Sequence, residues 1–351
     1  MTAKKSFFKK FIVSFLLILL LGGAAALYVA YKLIYRPNVD LNGKKTEIFF
    51  IKTGSTYNDV LNALLENHCI INRASFERLA EIKGYKTKIK SGRYRIKNNM
   101  SNNELINMLR AGLQEPIQIT FNTVRTKQEL VSKVCKNLEA DSIQMLELLN
   151  NDGFMDKYDL TSDNALCLFV PNTYEIYWNT SADGFLERMN KEHKKFWTDA
   201  KKNKAKEIGL TPVKVSVLAS IVQAEQNRFD DEKPIIAGLY INRLNKQMPL
   251  QSDPTLIYAK GDFTITRVLN EDKEIDSPYN TYMHTGLPPG PICLPEISSL
   301  EAVLNYQKND YIFMCAKEDF SGKHNFAKTN EEHTENARKY REALNKRNIM
   351  R

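Results

Sequence analysis

The first feature of the sequence is a long uncharged run close to its N-terminus. The run extends from Phe11 to Tyr31, and at ~1.5 Å per residue in a helix it covers about 30 Å, the thickness of a bilayer core. The sequence therefore predicts a short cytoplasmic tail at 1–10 and a transmembrane anchor at 11–35. A cleaved signal peptide is the alternative, with the small residues 22–26 as its cleavage region.

The charges on either side of the run predict its orientation. Four lysines precede it, at positions 4, 5, 9 and 10, whereas Lys32 and Arg36 follow it. The positive-inside rule then places the N-terminus in the cytoplasm. Everything after Tyr35 is expected on the extracytoplasmic side of the cell inner (plasma) membrane.

Alternating strand-like and helical patterns follow the anchor. Residues 46–51 are typical of a strand, and Val60, Leu61, Leu64 and Leu65 share one face of a helix. The remaining elements predicted here are a helix at 74–83, a turn and strand at 91–96, and a helix opened by a capping box of Ser101 and Glu104. Together they predict a compact α+β module at 45–112.

Less regular patterns connect this module to the rest of the chain. Residues 116–122 alternate as a strand, and helical patterns occur at 127–138 and 141–150. These elements predict a connecting subdomain at 116–160. A lysine-rich amphipathic helix is expected further on, at 191–206, with a solvated basic face.

A strongly apolar helix is predicted from Thr211 to Phe229, with Thr211 as cap and Pro212 at its first position. Leu218, Ile221, Val222 and Glu225 fall on one face. A carboxyl that continues a buried stripe resists ionisation, so its pKa rises and it can donate a proton to a leaving oxygen. Breaking a glycosidic bond requires such a donor. The alternative is that Glu225 only marks where the helix emerges into water.

Several polar segments downstream carry more specific chemistry than a scaffold needs. In residues 251–255, Asp253 is expected as a helix cap before Pro254, and Gln251 remains unexplained. The loops at 277–282 and 286–292 combine aromatic and amide side chains, which suit a sugar, with prolines and glycines that fix loop shape. His324 follows a strand expected at 311–316. Thr329 and Glu332 form a capping-box pattern.

Composition narrows the class of protein. The 351 residues allow about two domains, and 43% hydrophobic with 26% charged residues is ordinary for a folded protein. The net charge of +9 comes without a zinc-finger, RRM or helix-turn-helix pattern, so nucleic acid is not the expected partner. An anionic wall polymer or anionic lipid suits the basic surface.

The five cysteines, at 69, 135, 167, 293 and 315, form no CxxC pair, and histidine is scarce. Neither a zinc site nor a dense disulfide framework is expected. Because five is odd, at least one thiol stays free within a single chain.

Taken together, these segments resemble the endolytic murein transglycosylase family (MltG, YceG-like). The order and spacing of the motifs match over nearly the whole chain, and the run through Tyr279–Tyr282 and Gly286–Ile292 is the most specific. The other matching pieces are 218–225, 250–255, 322–326, 332–333 and 169–174. The resemblance implies an α+β protein with an N-terminal transmembrane helix, a small LysM-like module at 45–112 and a larger mixed α/β catalytic domain at 161–348.

The sequence departs from the family pattern at three places. Gln223-Ala224-Glu225 stands where the family usually has Glu-Lys-Glu, so only Glu225 aligns with a family carboxylate, the catalytic one. Asn172 replaces an aspartate, and residues 165–168 replace a stretch where Glu-Gly is common. Any role of those other family carboxylates is in doubt here.

The resemblance also implies a reaction and its residues. Glu225 is the catalytic acid of a lytic cleavage between MurNAc and GlcNAc that needs no metal or organic cofactor. The expected substrate-binding residues are Gln251, Ser277, Tyr279, Asn280, Thr281, Tyr282, His324 and Phe326. Structural roles near the site are expected for Asp253, Pro288, Pro289, Gly290, Glu332 and His333. Expected partners are glycan strands of peptidoglycan and the peptidoglycan synthases (penicillin-binding proteins).

Two other functions stay open on the sequence. A muramidase-type hydrolase would cut the same bond with water, using a second carboxylate such as Asp253 as base. A non-catalytic wall-binding scaffold would use Glu225 only as a helix-end charge.

Overall fold

The structure is a computed structural model that describes residues 2–122, 124–265 and 267–347, apart from the side chains of residues 2–9. The side chains of Lys4, Lys5 and Lys9, on which the predicted orientation depends, therefore lie outside the described residues. So does Asn348, the last residue of the predicted catalytic domain. The described chain is a mixed α+β protein with an apolar N-terminal helix, as predicted.

Helices and short strands alternate along the chain. The helices are α1 (Thr2–Tyr35), α2 (Tyr57–Glu66), α3 (Arg73–Ile82), α4 (Asn102–Ala111), α5 (Lys127–Cys135), α6 (Ser142–Leu149), α7 (Asp152–Met155), α8 (Ala182–Phe196), α9 (Asp199–Glu207), α10 (Pro212–Glu225), α11 (Lys233–Asn245), α12 (Asp253–Lys260), α13 (Ile297–Leu304) and α14 (Asn330–Lys346). The strands are β1 (Thr46–Ile51), β2 (Gly92–Lys97), β3 (Ile117–Phe121), β4 (Asn172–Ile176), β5 (Phe313–Ala316) and β6 (His324–Ala327), paired as β1–β2, β3–β4 and β5–β6.

Helix α1 contains the apolar segment. Its part Lys10–Tyr35 is long and apolar enough to cross a membrane, and the apolar 18-residue stretch within it is not buried inside the protein. A membrane anchor and a signal sequence both contain an apolar helix of this length near the N-terminus. The choice between them and the orientation in the membrane therefore stay predictions. Helices α9 and α10 together meet the same criteria across a 74° bend, but residues 215–223 of α10 are buried in a protein core.

The chain divides into two compact units. The first contains the chain up to Ile117 together with Glu175–Asn179. In it, β1 and β2 pair antiparallel from Thr46 opposite Lys97 to Ile51 opposite Gly92. The apolar faces of α2, α3 and α4 pack in a common core with this hairpin. The predicted elements between 46 and 111 are thus confirmed, including the capping box of α4, while the LysM-like assignment stays a prediction.

The second unit contains Gln118–Tyr174 and the chain from Thr180 onward. Helix α10 lies at its centre, and every residue from Val215 to Gln223 is buried. Side chains of α11 and α13 pack in the same core. This arrangement makes α10 a rigid support for whatever stands at its C-terminal end.

Three predicted elements differ from those observed. The helix expected at 191–206 is two helices, because the buried Trp197 ends α8 and Thr198 caps α9. The helix expected to reach Phe229 ends at Glu225, since Gln226 is extended. The strand expected from Tyr311 begins at Phe313.

Candidate active site

Glu225 lies at the C-terminal end of helix α10. Thr211 caps its start by accepting a hydrogen bond from the Lys214 N–H, and Pro212 occupies the first turn, as predicted. The helix is buried on all sides rather than along one stripe. Glu225 is its last residue and is half-buried, so its carboxyl is held at the end of a rigid element.

Two hydroxyl groups hold one oxygen of this carboxyl. Tyr240, from α11, donates to Glu225 Oε1 at 2.7 Å, and Ser252, just before α12, donates to the same oxygen at 2.5 Å. Among the described residues, no hydrogen bond is formed to Oε2. The arrangement orients the carboxyl through Oε1 alone.

The surroundings of Glu225 favour its protonated form. Burial raises the pKa of the Glu225 carboxyl above its ordinary value, and the negative charge of Asp253 adds to this effect. Hydrogen bonds from Ser252 and Tyr240 and the proximity of His324 oppose it without reversing it. Burial and the nearby Glu225 raise the pKa of Tyr240 well above its usual value, so that phenol stays a neutral donor.

Glu225 lies in the wall of a cleft with a volume of about 500 Å³. Six residues singled out from the sequence line it: Glu225, Gln251, Asp253, Tyr282, His324 and His333. Strand β5 forms another part of the wall, and Tyr240, Arg243 and Asn330 contribute side chains. A cleft of this size, with a carboxyl of raised pKa, has the properties of a small-molecule or polymer site.

The segment Gln251-Ser252-Asp253 is held in an unusual conformation. Gln251 has a φ of 52°, in the left-handed region that non-glycine residues seldom occupy. Arg243 fixes it by donating to the Leu250 carbonyl at 2.6 Å and to Gln251 Oε1 at 3.1 Å. Such strain at a cleft is typical of a functional position, and here it places Ser252 against Glu225.

Asp253 is not the helix cap that the sequence predicted. Ser252 occupies the cap position of α12, and Asp253 is the first helical residue. The Asp253 carboxylate instead accepts a hydrogen bond from the Tyr282 hydroxyl at 2.5 Å. Burial and this contact raise the pKa of Tyr282, and the pair forms part of the cleft wall.

His324 reaches the cleft from the start of β6. Its backbone N–H donates to Glu232 Oε1 at 3.0 Å, and its Nδ1 lies 3.1 Å from Glu232 Oε2. The buried Glu232 also accepts from the Gln226 side chain at 2.7 Å. These contacts fix the imidazole in the same cleft as Glu225.

The polar loop at 277–282 mainly supports this arrangement. Asn280 and Thr281 are 0% and 2% exposed. Asn280 donates to the carbonyls of Lys273 and Ile275, and Thr281 Oγ1 accepts from the Ser252 N–H at 3.0 Å. The loop thereby sets the position of Ser252.

The other predicted residues also lie outside the cleft wall. Ser277 accepts a hydrogen bond from the Tyr279 N–H, and the Tyr279 ring packs 4.7 Å from that of Tyr258. Phe326 packs against Tyr311 at 5.5 Å between ring centroids.

Pro288, Pro289 and Gly290 have separate structural surroundings. The two prolines line a different cavity of about 570 Å³. A Cβ at Gly290 would lie 2.0 Å from the Asp163 carbonyl oxygen, so only glycine fits there without displacing backbone.

At the start of α14, the predicted capping box is only half formed. Thr329 caps the helix, but the Glu332 carboxylate accepts from the N–H of Lys328 rather than from that of Thr329. The His333 ring stacks on Phe313 at 5.1 Å, and burial and Arg243 lower its pKa.

We expect Thr281→Val to lower the melting temperature of the full-length protein by several degrees. Valine would leave the buried Ser252 N–H without its acceptor, which costs about 1–3 kcal/mol. The Thr255 hydroxyl, 2.8 Å from Thr281 Oγ1, would lose this contact but keep its hydrogen bond to the Ser252 carbonyl. Thr281→Ser keeps the hydroxyl and should remain close to the parent in a thermal unfolding scan. Equal melting temperatures for the two variants would contradict the supporting role of the hydroxyl.

Sequence reasoning missed Tyr240, Arg243, Ser252 and Glu232. Tyr240 and Arg243 lie within the largely apolar helix α11. Its sequence pattern did not indicate a polar site. Ser252 lies between Gln251 and Asp253, which the sequence did indicate, and Glu232 lies in a run of charges at 230–233.

Among the described residues, no group of three or more His, Cys, Asp or Glu side chains is placed to hold a metal ion. The five cysteines, all within the described residues, carry free thiols.

A half-buried carboxyl of raised pKa, oriented by hydroxyl donors at the wall of a cleft, is the type of site that general acids of glycan-cleaving enzymes use. The sequence profile of the YceG-like family matches residues 49–339. The chain therefore belongs to the YceG-like family.

Individual relatives agree with this assignment. The endolytic murein transglycosylase of Bacillus subtilis (strain 168) is 30% identical over 345 residues, which cover 94% of this chain and 93% of the relative. The endolytic murein transglycosylase of Streptococcus pneumoniae (strain D39) is 27% identical over 93% of this chain, which spans only 64% of that longer protein. The crystal structure of a YceG-like protein from Listeria monocytogenes superimposes with a TM-score of 0.55 at 26% identity, covering 84% of this chain and 99% of that chain.

Proposed function

We propose that this protein is a membrane-anchored endolytic lytic transglycosylase that cuts nascent peptidoglycan strands between MurNAc and GlcNAc. The observation that carries the proposal is the Glu225 carboxyl, whose raised pKa and fixed Oε1 suit a proton donor in a cleft. Family membership and the names of the relatives supply the substrate class.

In the proposed reaction, Glu225 donates its proton to the oxygen that links MurNAc C1 to the next GlcNAc. The C1–O bond breaks, and the GlcNAc leaves with a hydroxyl group. Glu225, now a carboxylate, accepts the proton of the MurNAc C6 hydroxyl, whose oxygen bonds to C1. The product has a 1,6-anhydro end, and no water is consumed.

The surrounding residues have matching tasks in this proposal. Tyr240 and Ser252 keep Oε1 in place and stabilise the carboxylate that forms after the first proton transfer. Gln251, Tyr282 and His324 line the cleft and would contact the sugars. Thr281 acts through Ser252, and Asn280 acts through the backbone N–H of Tyr282, rather than on the substrate.

The anchor and partners complete the proposal. With α1 in the plasma membrane and the second unit on the extracytoplasmic side, the enzyme reaches newly made glycan close to the membrane. Cutting inside a strand would release it from the peptidoglycan synthases (penicillin-binding proteins) and terminate its elongation. The module at 45–112 would bind the strand or a synthase.

A hydrolase of the same bond is the second candidate, because Asp253 lines the same cleft as Glu225. The product ends separate the two reactions. We expect the full-length protein in detergent micelles to cut uncrosslinked glycan strands internally and to leave anhydro ends by mass spectrometry. Ends heavier by one water would establish the hydrolase instead.

Asp253→Asn provides an independent test of the same choice. Lytic cleavage needs no second carboxylate, so we expect anhydro products at a rate within about tenfold of the parent. Because the Asp253 charge raises the pKa of Glu225, the alkaline limb of the pH profile should move to lower pH in this variant. A loss as large as that of a catalytic residue would favour Asp253 as the base of a hydrolase.

A further inference from the structure

A cavity with a volume of about 360 Å³ lies at the C-terminal end of α1, within the first unit. Residues at the end of α1 and just after it line the cavity together with residues at the starts of α3 and α4. Its volume falls in the usual range of small-ligand sites, about 300–1,000 Å³. The reaction proposed above does not use this cavity.

Buried asparagine side chains join the parts of the chain that surround the cavity. Asn38 donates a hydrogen bond to Asn102 Oδ1 at 2.7 Å and accepts one from the Asn72 N–H at 2.7 Å. Asn102 in turn donates to the Leu33 carbonyl at 3.4 Å, and the Leu33 side chain packs against the core of the unit. The end of α1 is thus bonded to α3 and α4, so the cavity lies between parts of one packed unit.

Two cationic side chains, Lys32 and Arg36, line the cavity, and none of the described residues that line it is acidic. Lys32 lies over the Tyr28 ring at 4.6 Å, and within the described part of the chain neither cation pairs with a carboxylate. Arg73 in α3, by contrast, is paired with Glu77 at 3.2 Å. The cavity therefore carries uncompensated positive charge and favours an anion, and the planar fork of an arginine matches a phosphate group.

Apolar side chains border the same cavity. Val29 and Leu33 line it from α1, and Ile71, which is 66% exposed, lines it from the segment before α3. The uncharged run at 11–31 already covers the ~30 Å of the hydrocarbon core, so Lys32, the next residue, falls at the level of the lipid headgroups. The cavity therefore suits an amphiphile that has an anionic part and an apolar part next to each other.

We propose that this cavity binds an anionic glycerophospholipid of the membrane, whose phosphate lies at Lys32 and Arg36. Its acyl chains run along Val29, Leu33 and Ile71. The inference rests on the part of the proposed function that places α1 in a membrane, and it is independent of the reaction in the cleft. Inorganic phosphate would fill only the polar part of the cavity, whereas a lipid fills both parts and holds the first unit against the bilayer surface.

Lipid selectivity tests this site. The full-length protein in micelles of a neutral detergent should be titrated with phosphatidylglycerol or with phosphatidylcholine, and bound lipid counted by native mass spectrometry. We expect one phosphatidylglycerol per chain, bound about tenfold or more tightly than phosphatidylcholine. Lys32→Gln combined with Arg36→Gln should weaken phosphatidylglycerol binding about 10- to 100-fold, because both charge-assisted contacts to the phosphate are lost.

Lys45→Gln combined with Lys88→Gln is the matched control. It removes the same charge from two exposed positions of the first unit that do not line the cavity. This variant should bind phosphatidylglycerol like the parent. An equal loss in the two double variants, or equal affinity of the parent for the two lipids, would overturn the site in favour of a general attraction of anionic lipid to a basic surface.

The acyl chains distinguish a lipid from free phosphate. Ile71→Ser should weaken phosphatidylglycerol binding about fivefold through the lost apolar contact, while Ile82→Ser, at an equally exposed isoleucine that ends α3, should leave it unchanged. Glycerophosphoglycerol, the same headgroup without acyl chains, should bind about tenfold or more weakly than the lipid. Equal binding of the headgroup and the lipid would show a phosphate site and overturn the lipid site.

The titrations are independent of glycan cleavage. No glycan is present in them, so their failure would leave the role proposed for Glu225 untouched. An enzyme that cut no glycan would in turn leave the lipid result unaffected.

Discussion

Substitution of Glu225 by glutamine is expected to lower the rate of glycan cleavage by about 10²- to 10⁴-fold, the usual contribution of a general acid or base. Glutamine has nearly the same shape and can still accept the hydrogen bonds that Tyr240 and Ser252 donate to Oε1. It cannot supply the proton to the leaving oxygen or remove the proton from the C6 hydroxyl. Release of anhydro ends from uncrosslinked strands by the full-length protein measures the loss.

The matched control is Glu207→Gln. Glu207 is also the last residue of a helix, α9, but it is exposed. This variant should cut like the parent. Cleavage by Glu225→Gln at the rate of Glu207→Gln would exclude Glu225 as the proton donor and return it to the role of a helix-end charge.

Thermal unfolding shows whether the Glu225→Gln protein is folded and carries a further expectation. Burial raises the pKa of Glu225 in the folded state, so the folded protein binds this proton more tightly than the unfolded chain. The contribution of Glu225 to the parent's free energy of unfolding therefore falls as the pH rises from the ordinary glutamate pKa towards the folded one. The glutamine variant lacks this fall. The melting temperature of the variant minus that of the parent should therefore increase as the pH rises over this range.

The parts of the site that the sequence predicted are those encoded locally. Thr211 and Pro212 start α10, and an apolar run followed by Glu225 ends it, so helix, cap and carboxyl could all be read from adjacent residues. The physical reason proposed for the raised pKa was incomplete, however. Helix α10 is buried on all sides rather than along one stripe, and the desolvation comes from the segments packed around its end.

The parts that the sequence could not supply depend on tertiary contacts. Tyr240 and Ser252 lie 15 and 27 residues from Glu225, and no helical spacing brings them to one oxygen. Asp253 was expected to cap a helix, but Ser252 occupies the cap position. The Asp253 carboxylate instead accepts a hydrogen bond from the Tyr282 hydroxyl. The conspicuous loop residues Asn280 and Thr281 proved to be buried supports, because their side chains satisfy backbone groups of neighbouring segments.

The two donors to Glu225 lead to the second large expected effect. Ser252→Ala combined with Tyr240→Phe should lower kcat/KM on glycan strands by about 10²-fold or more, because each lost hydrogen bond to a charged group is worth about 1.5–3 kcal/mol. The Glu225 carboxylate formed after the first proton transfer then lacks both protein donors. The single variants should each show a smaller loss.

The pH profile distinguishes this role from a general loss of structure. Both donors lower the pKa of Glu225 against the effect of burial, so their removal raises it further. Because the acid must be protonated to act, the alkaline limb of kcat/KM should move to higher pH in each single variant and furthest in the double variant. Ser216→Ala is the control on the same helix, since its hydroxyl donates to the Pro212 carbonyl at the opposite end. An alkaline limb that stays at the parent's pH in the double variant would show that Tyr240 and Ser252 do not set the proton affinity of the reacting carboxyl.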